Sequence, residues 1–361
     1  MGAESLAAPS DRQRRVALSE RRRLLWRLAV IALSALALVG AMVLALGTGS
    51  KSIPADDVVQ ALINRESVQK SVEVIIHQVR LPRALAGALV GLNLAVSGAL
   101  LQGVVRSPLG DPYILGVSAG GGLAAAFVTL RLGRDFPQDL VPPVAFVGAL
   151  IGALIVYAVA WDGTGVTTTR LVLAGGAFTA MIGALTTTIV VMSVEGGAQF
   201  FFQWLVGGLY TAGWREYHLT VPYSLIGFVA AMLLATRANV LALGDEMAQG
   251  LGLHVERTRF LMSAVAAVLA GSAVATAGLI AFVGLLVPFV ARRLVGSDFR
   301  FLLPVCALLG ASWMLVADTA SRVTLPRLLG LPNVEFPVGI VTAVVGGPLF
   351  MWLVRARRAQ W

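Results

Sequence analysis

Apolar runs free of Asp, Glu, Lys and Arg recur along the chain at 28–47, 84–105, 112–130, 140–161, 171–194, 196–214, 218–236, 260–291, 301–317 and 336–354. About 20 apolar residues, rising 1.5 Å each, cross a bilayer core, so most of these runs predict membrane-spanning helices. Two depart from that length rule. The run 196–214 is parted from its predecessor by Glu195 alone and carries Gly196, Gly197, Gly207, Gly208 and Gly213, which predicts a short half-helix and loop at the membrane surface. The run 260–291 is too long for one helix, and Gly278, Gly284 and Pro288 offer breaks, so it predicts a full span over 257–277 and a short one over 281–295. The reading is an all-α polytopic membrane protein of ten transmembrane helices.

Charge orients these helices. Arg12, Arg14, Arg15, Arg21, Arg22, Arg23 and Arg27 precede the first run, and Arg355, Arg357 and Arg358 follow the last. The positive-inside rule places both termini in the cytoplasm, as an even number of crossings allows. On that topology 106–111, 162–170, 237–256 and 292–300 face inward, while 48–79, 131–139 and 318–335 face outward. The basic segment 1–23 leads into a membrane domain over 24–358, whose longest inner loop is 237–256. No cleaved signal peptide is expected, because the first run is long and ends without a small-residue cleavage site.

Composition narrows the class further. With 57% hydrophobic residues, 13% charged and a mean hydropathy of +0.83, an ordinary soluble enzyme is excluded. One cysteine, Cys306, inside an apolar run, supports no disulfide framework or thiolate cluster within the chain. The net charge of +9 is a topology signal more than a nucleic-acid patch.

Displacing the sequence by 175 residues sets Val90 on Val265, Leu94 on Leu269, Ala95 on Ala270, Ser97 on Ser272 and Gly103 on Gly278; one inserted residue then sets Pro112 on Pro288. This pairs helix two with helix seven. The odd separation makes the copies cross in opposite directions, the inverted repeat that encloses a pathway in transporters. Gly87 and Gly91, Gly116 and Gly120, and Gly148 and Gly152 stand at the spacing that lets helices approach closely. Gly120, Gly121 and Gly122 in a row, each about 1 kcal/mol worse than alanine in a helix, are expected at a kink, a thin wall or a gate.

The segment Arg80-Leu-Pro-Arg-Ala-Leu-Ala-Gly87, continued by Ser97-Gly-Ala-Leu-Leu-Gln-Gly103 and Pro108-Leu-Gly-Asp-Pro-Tyr-Ile-Leu-Gly-Val-Ser118, resembles the FecCD family of permeases. Those are membrane subunits of binding-protein-dependent ABC importers for ferric siderophores, haem and vitamin B12. Further blocks agree in order: Leu241-Ala-Leu-Gly-Asp-Glu-Met-Ala-Gln-Gly-Leu-Gly-Leu253, Gly278-Leu-Ile-Ala-Phe-Val-Gly-Leu-Leu-Val-Pro288, Ala317-Asp-Thr-Ala-Ser-Arg322, Glu335-Phe-Pro-Val-Gly339 and Gly346-Gly-Pro348. The resemblance covers nearly all of 24–358. It departs at Phe289, where the family usually has a histidine, so that histidine's role is not carried over.

The resemblance implies a type II ABC importer permease in the bacterial cytoplasmic membrane, with no catalytic residue, metal or cofactor of its own. Its partners would be two ATP-binding cassette subunits holding ATP and Mg, a second permease chain, identical or closely homologous, and an extracytoplasmic binding protein. Leu241, Gly244, Asp245, Glu246, Met247, Leu251, Gly252 and Leu253 would form the coupling helix docked on the ATPase. Acids early in a short helix and apolar knobs at Met247, Leu251 and Leu253 suit that task. Arg80, Arg83 and Arg322 would meet acidic residues of the binding protein, with Asp318 four residues before Arg322 able to pair with it. The pathway would be lined by helices two, three, five and eight, with Ser118, Ala119 and Gly120 near one constriction and Thr168 and Thr169 near the cytoplasmic gate. Asn93 and Gln102 either face it or bridge helices. Ferric siderophore is the expected cargo, with haem and cobalamin as alternatives.

Other classes fit worse. The chain has no G-x-x-x-x-G-K-[ST] phosphate loop, so ATP hydrolysis falls to a separate subunit. Gly116-Val-Ser118-Ala-Gly120 matches G-x-S-x-G but opens an apolar helix. The dispersed His77, His218 and His254 offer no metal spacing. An ion-coupled transporter would carry charges deep in its helices, whereas these runs are charge-free, and a channel or scaffold needs no docking loop for a motor.

Overall fold

The structure, a computed structural model, describes residues 11–49, 52–63, 69–132, 136–163, 165–193, 201, 204–331 and 334–357. The principal helices are α1 (Asp11–Gly47), α2 (Leu81–Val105), α3 (Val117–Ala126), α4 (Val141–Ala160), α5 (Thr168–Val191), α6 (Trp214–Leu241), α7 (Val255–Ala277), α8 (Val283–Val295), α9 (Phe299–Thr319) and α10 (Val338–Arg357). Among the described residues these ten match the order expected from the apolar runs. Seven of them, taken with their helical extensions, are long and apolar enough to cross a membrane; α3 and α8 are shorter, and α10 is 20 residues long. The break expected near Gly278 is present, with φ +69 at that glycine, while Pro288 lies inside α8 without ending it.

Helices run further than the charge-free segments, α1 from Asp11 and α6 from Trp214 to Leu241, and two of them, α2 and α9, do so past buried charges. Helical backbone begins at Lys70, passes through a π-turn at Ile75–Arg80 and continues into α2; α9 likewise continues through a π-turn at Ala320–Thr324 to Leu328. Treating Arg80, Arg83, Asp318 and Arg322 as end markers set both boundaries too close to the middle. These charges stay inside the helical segments because they have partners there.

α2 is the axis of the bundle, packed along α9, α7, α6 and α8. Its glycines permit this. An added Cβ at Gly91 would overlap the Gly310 carbonyl of α9, and one at Gly98 would overlap the Gly284 carbonyl of α8. The outer helices turn Leu33, Leu36, Val39, Val147, Leu154, Leu173, Leu225 and Leu233 outward, exposed as a bilayer would require.

The three consecutive glycines do not kink α3. It is regular from Val117 to Ala126 and becomes a π-turn only at Phe127–Arg131. Gly120 lies against Gly148 and Gly152 of α4, so the missing side chains serve close helix contact.

The repeat is legible in three dimensions. α2 starts beside Asp318 and ends beside Asp245, and α7 runs the other way, starting beside Asp245. Each is followed by backbone that folds back into the bundle before a short helix. Pro112–Leu115 is a 3-10 turn leading to α3, and 278–282 leads to α8. The two re-entrant stretches are stapled together: Tyr113 Oη donates to the Ile280 carbonyl at 2.9 Å and accepts the Ile280 N–H at 3.0 Å.

The segment expected as a surface half-helix is partly described. Glu195, Gly196 and Gly197 lie outside the described residues; Trp204–Val206 is helical, and the following backbone is built into the bundle rather than laid on its surface. The Gly208 N–H donates to the Ala277 carbonyl (2.8 Å), and the Gly339 N–H donates to the Gly207 carbonyl (3.1 Å).

Candidate functional site

Charged side chains gather at the two ends of the bundle. Between them, the buried middle is held by neutral groups. Asn93 Nδ2 donates to Ser224 Oγ and Ser272 Oγ, both at 2.8 Å, tying α2 to α6 and α7. Gln102 Nε2 donates to the Leu285 carbonyl at 3.2 Å, tying α2 to α8. Both amides therefore bridge helices.

At one end, α6 finishes at Leu241 and the chain turns at Gly244, whose φ of +110 is accessible to glycine but costly for other residues. The short helix Asp245–Gly250 follows. Leu241 and Ala248 are buried and anchor it, while Met247 (59% exposed) and Leu251 (64% exposed) project outward with Glu246, and Leu253 is half-buried.

Asp245 is engaged from inside the same chain. Arg259 of α7 donates to Asp245 Oδ1 (3.0 Å) and Oδ2 (3.1 Å), and Arg106, just beyond α2, also pairs with Oδ1. Burial alone would push the Asp245 carboxyl up, but hydrogen bonds and charge from Arg106 and Arg259 outweigh it and hold the carboxyl below its usual value. Arg259, itself buried, also donates to the Val166 carbonyl and to Glu256 Oε1, each at 2.7 Å, while Glu256 Oε2 accepts the Val166 N–H at 2.9 Å. Val166 closes the α4–α5 turn, two residues before Thr168. Thr168 Oγ1 donates to the Val105 carbonyl at the end of α2 (3.3 Å), and Thr169 is exposed.

Sequence reasoning missed Arg106, Glu256, Arg259 and Val166. The only local trace was the Glu256/Arg259 spacing of three residues at the start of α7.

At the other end, Asp318 receives two arginines. Arg83 Nη2 and Nε approach Oδ1 at 2.9 and 3.3 Å, and Arg322 Nε lies 2.9 Å from Oδ2. The expected Asp318–Arg322 pair is present, joined by an interhelical partner. Arg83 also reaches Glu335 at 3.1 Å. Arg80 is buried and donates to the Leu46 carbonyl at 2.6 Å. These arginines, with Arg327 and Glu335, line an open hollow.

Ser118 and Ala119 are half-buried in the first turn of α3, and Gly120 of the same helix is buried against α4. Gly116, with φ +76, follows a 3-10 turn, so no strand leads into Ser118 as a nucleophile elbow requires. Phe289 is buried beside Leu286, Trp313 and Leu349, with the Arg293 guanidinium 5.0 Å from its ring centre.

Comparison with known proteins gives a consistent result. The model of the FecCD transport family matches residues 36–356. A cobalamin import system permease protein of Halobacterium salinarum is 40% identical over 317 residues, covering 87% of this chain and 82% of that one. A Fe(3+)-citrate import system permease protein of Bacillus subtilis is 39% identical over 328 residues, covering 91% and 95%. A solved metal-chelate type ABC transporter in an inward-facing conformation is 28% identical with a TM-score of 0.79, covering 91% of this chain and 99% of its own.

Proposed function

The chain belongs to the FecCD transport family and is the membrane-spanning permease of an ABC transporter, not an enzyme, and from that premise we propose that it imports a ferric chelate, a ferric siderophore foremost. Similar Bacillus subtilis permeases are named for Fe(3+)-citrate, a siderophore and iron(3+)-hydroxamate. Permeases named for cobalamin and hemin are also similar, and they supply the second reading.

The observation that carries the assignment of roles is the short helix Asp245–Gly250, where apolar Met247 and, just past the helix end, Leu251 project away from the bundle at the end where α6 finishes and α7 begins. We assign residues 241–253 to docking on the ATP-binding subunit, two copies per transporter, which hold the ATP and Mg; this chain binds no cofactor. That end then faces the cytoplasm. The start of α1 lies there too, since Arg27 pairs with Asp298 at the start of α9. α10 starts beside Gly207 and brings Leu349 to Leu286 and Phe289 of α8, running toward the same end; on this assignment both termini are cytoplasmic, and we take the membrane to be the bacterial cytoplasmic one.

The hollow where Arg80, Arg83, Arg322 and Arg327 outnumber Glu335 is the surface assigned to acidic side chains of the binding protein; its excess of positive charge steers such a partner. Ser118, Ala119 and Gly120 and the Thr168–Thr169 turn belong to the pathway, completed by a second permease chain, identical or homologous.

The test is ATP hydrolysis by the chain reconstituted in liposomes with its ATP-binding subunit, with the binding protein loaded in turn with ferric siderophore, haem or cobalamin. Stimulation by the siderophore-loaded form alone is expected. Stimulation only by another cargo would replace it, and failure to associate with the ATP-binding subunit would remove the docking assignment.

A further inference from the structure

The charged groups behind the docking helix form a closed circuit. Starting at Asp245, contacts pass to Arg259 on α7 and from Arg259 to the Val166 carbonyl. The backbone leads from Val166 to Thr168 at the start of α5, and Thr168 bonds the Val105 carbonyl at the end of α2. The next residue, Arg106, returns to Asp245.

Three features make this circuit a mechanical link. Arg259 is buried, and its planar fork is held by Asp245, Glu256 and the Val166 carbonyl, so it has little freedom to swing. Arg106 stops α2 in the left-handed region at φ 50, a conformation uncommon for a non-glycine residue and here maintained while its guanidinium reaches Asp245. Glu256 clamps the same turn a second time through the Val166 N–H.

We propose that Asp245 is a positioning residue that transmits movement of the docking helix to the starts of α5 and α7 and the end of α2, moving the Thr168–Thr169 turn, while Met247 and Leu251 make the contact with the motor. The inference rests on the reading of residues 241–253 as the ATPase-docking loop. It assigns the two adjacent acids, Asp245 and Glu246, different tasks: Asp245 is turned to arginines of its own chain, and Glu246 to the outside. Displacement of the short helix by the motor therefore cannot leave α5 and α2 in place unless the Asp245 contacts break.

The experiment uses the complete transporter in proteoliposomes, with ATP hydrolysis and cargo import measured in the same vesicles, for Asp245→Asn, Arg259→Gln, the double variant and Asp245→Glu. For Asp245→Asn the ATP-binding subunit is expected to co-purify with the permease, and ATP consumed per cargo imported to rise about tenfold. The double variant should be no worse than the more affected single, since both break one link. Asp245→Glu, which keeps the charge, should recover most of the coupling and keeps the test open if Arg259→Gln does not insert. An unchanged ratio in Asp245→Asn, or loss of the ATP-binding subunit from it, would overturn the proposal. Met247→Arg bears on the docking reading alone: loss of the ATP-binding subunit supports it, and retention refutes it whatever Asp245 does.

Discussion

Asp318→Asn is the most demanding test of how the start of α2 and the end of α9 are held together. Asp318 is 3% exposed; its carboxylate accepts hydrogen bonds from Arg83 at 2.9 and 3.3 Å and forms an ion pair with Arg322 at 2.9 Å. Asparagine keeps the shape and one acceptor oxygen but removes the charge. Two guanidiniums, with side chains only 12% and 10% exposed, would then face each other without a central anion. Removing one member of a buried ion pair costs about 3–5 kcal/mol, chiefly because the remaining charge is left without compensation. Glu335→Gln is the internal control. That acid touches the same Arg83 but is 50% exposed, and an exposed pair is worth about 1 kcal/mol or less. The assay is reversible unfolding of the purified permease in mixed micelles, with the free energies of Asp318→Asn, Arg83→Gln and their double variant compared in a cycle. The double should be less harmful than the sum of the singles, because Arg83 is no longer stranded once both are gone. If Asp318→Asn costs no more than Glu335→Gln, the buried cluster is not what extends α2 and α9 past their charges.

Other consequences follow from contacts already described. Gly98→Ala places a methyl on the Gly284 carbonyl and should destabilise the α2–α8 crossing by about 1–3 kcal/mol, whereas Gly122→Ala, with nothing within 4 Å, should be neutral or stabilising in the same unfolding assay. Asn93→Leu removes the hydrogen bonds to Ser224 and Ser272 and should cost about 1 kcal/mol, measured the same way. Because the folded carboxyl of Asp245 titrates below its ordinary value of 3.8, its contribution is present above that value and lost only as pH falls through the lower folded one. The NMR chemical shift of the Asp245 carboxyl carbon should thus stay at its ionised value from about pH 8 to 5 and move only below about pH 4; movement near neutrality would refute the direction of that shift.

Among the described residues, the order of the ten principal helices, the break at Gly278 and the inverted pairing of α2 with α7 were legible in the chain, the first two because each depends on a local quantity. Run length against bilayer thickness decides what can span, and a glycine with positive φ decides where a helix must stop. The meaning of the charges was not local. Arg83 and Asp318 are 235 residues apart, and only the packing of α2 against α9 makes it affordable to bury them and lets both helices continue past them. Arg106 and Asp245 are 139 residues apart, and the pattern around Asp245 marked a docking acid without marking the arginines behind it. The glycine triplet carries the same lesson. Its low helix propensity pointed to a kink, a thin wall or a gate; the helix is unbroken from Val117 to Ala126, and Gly120 uses its missing side chain for contact with Gly148 and Gly152 on α4. A sequence thus determines which segments enter the membrane; the cost of a charge or a missing side chain depends on what stands opposite, and only the tertiary structure decides that.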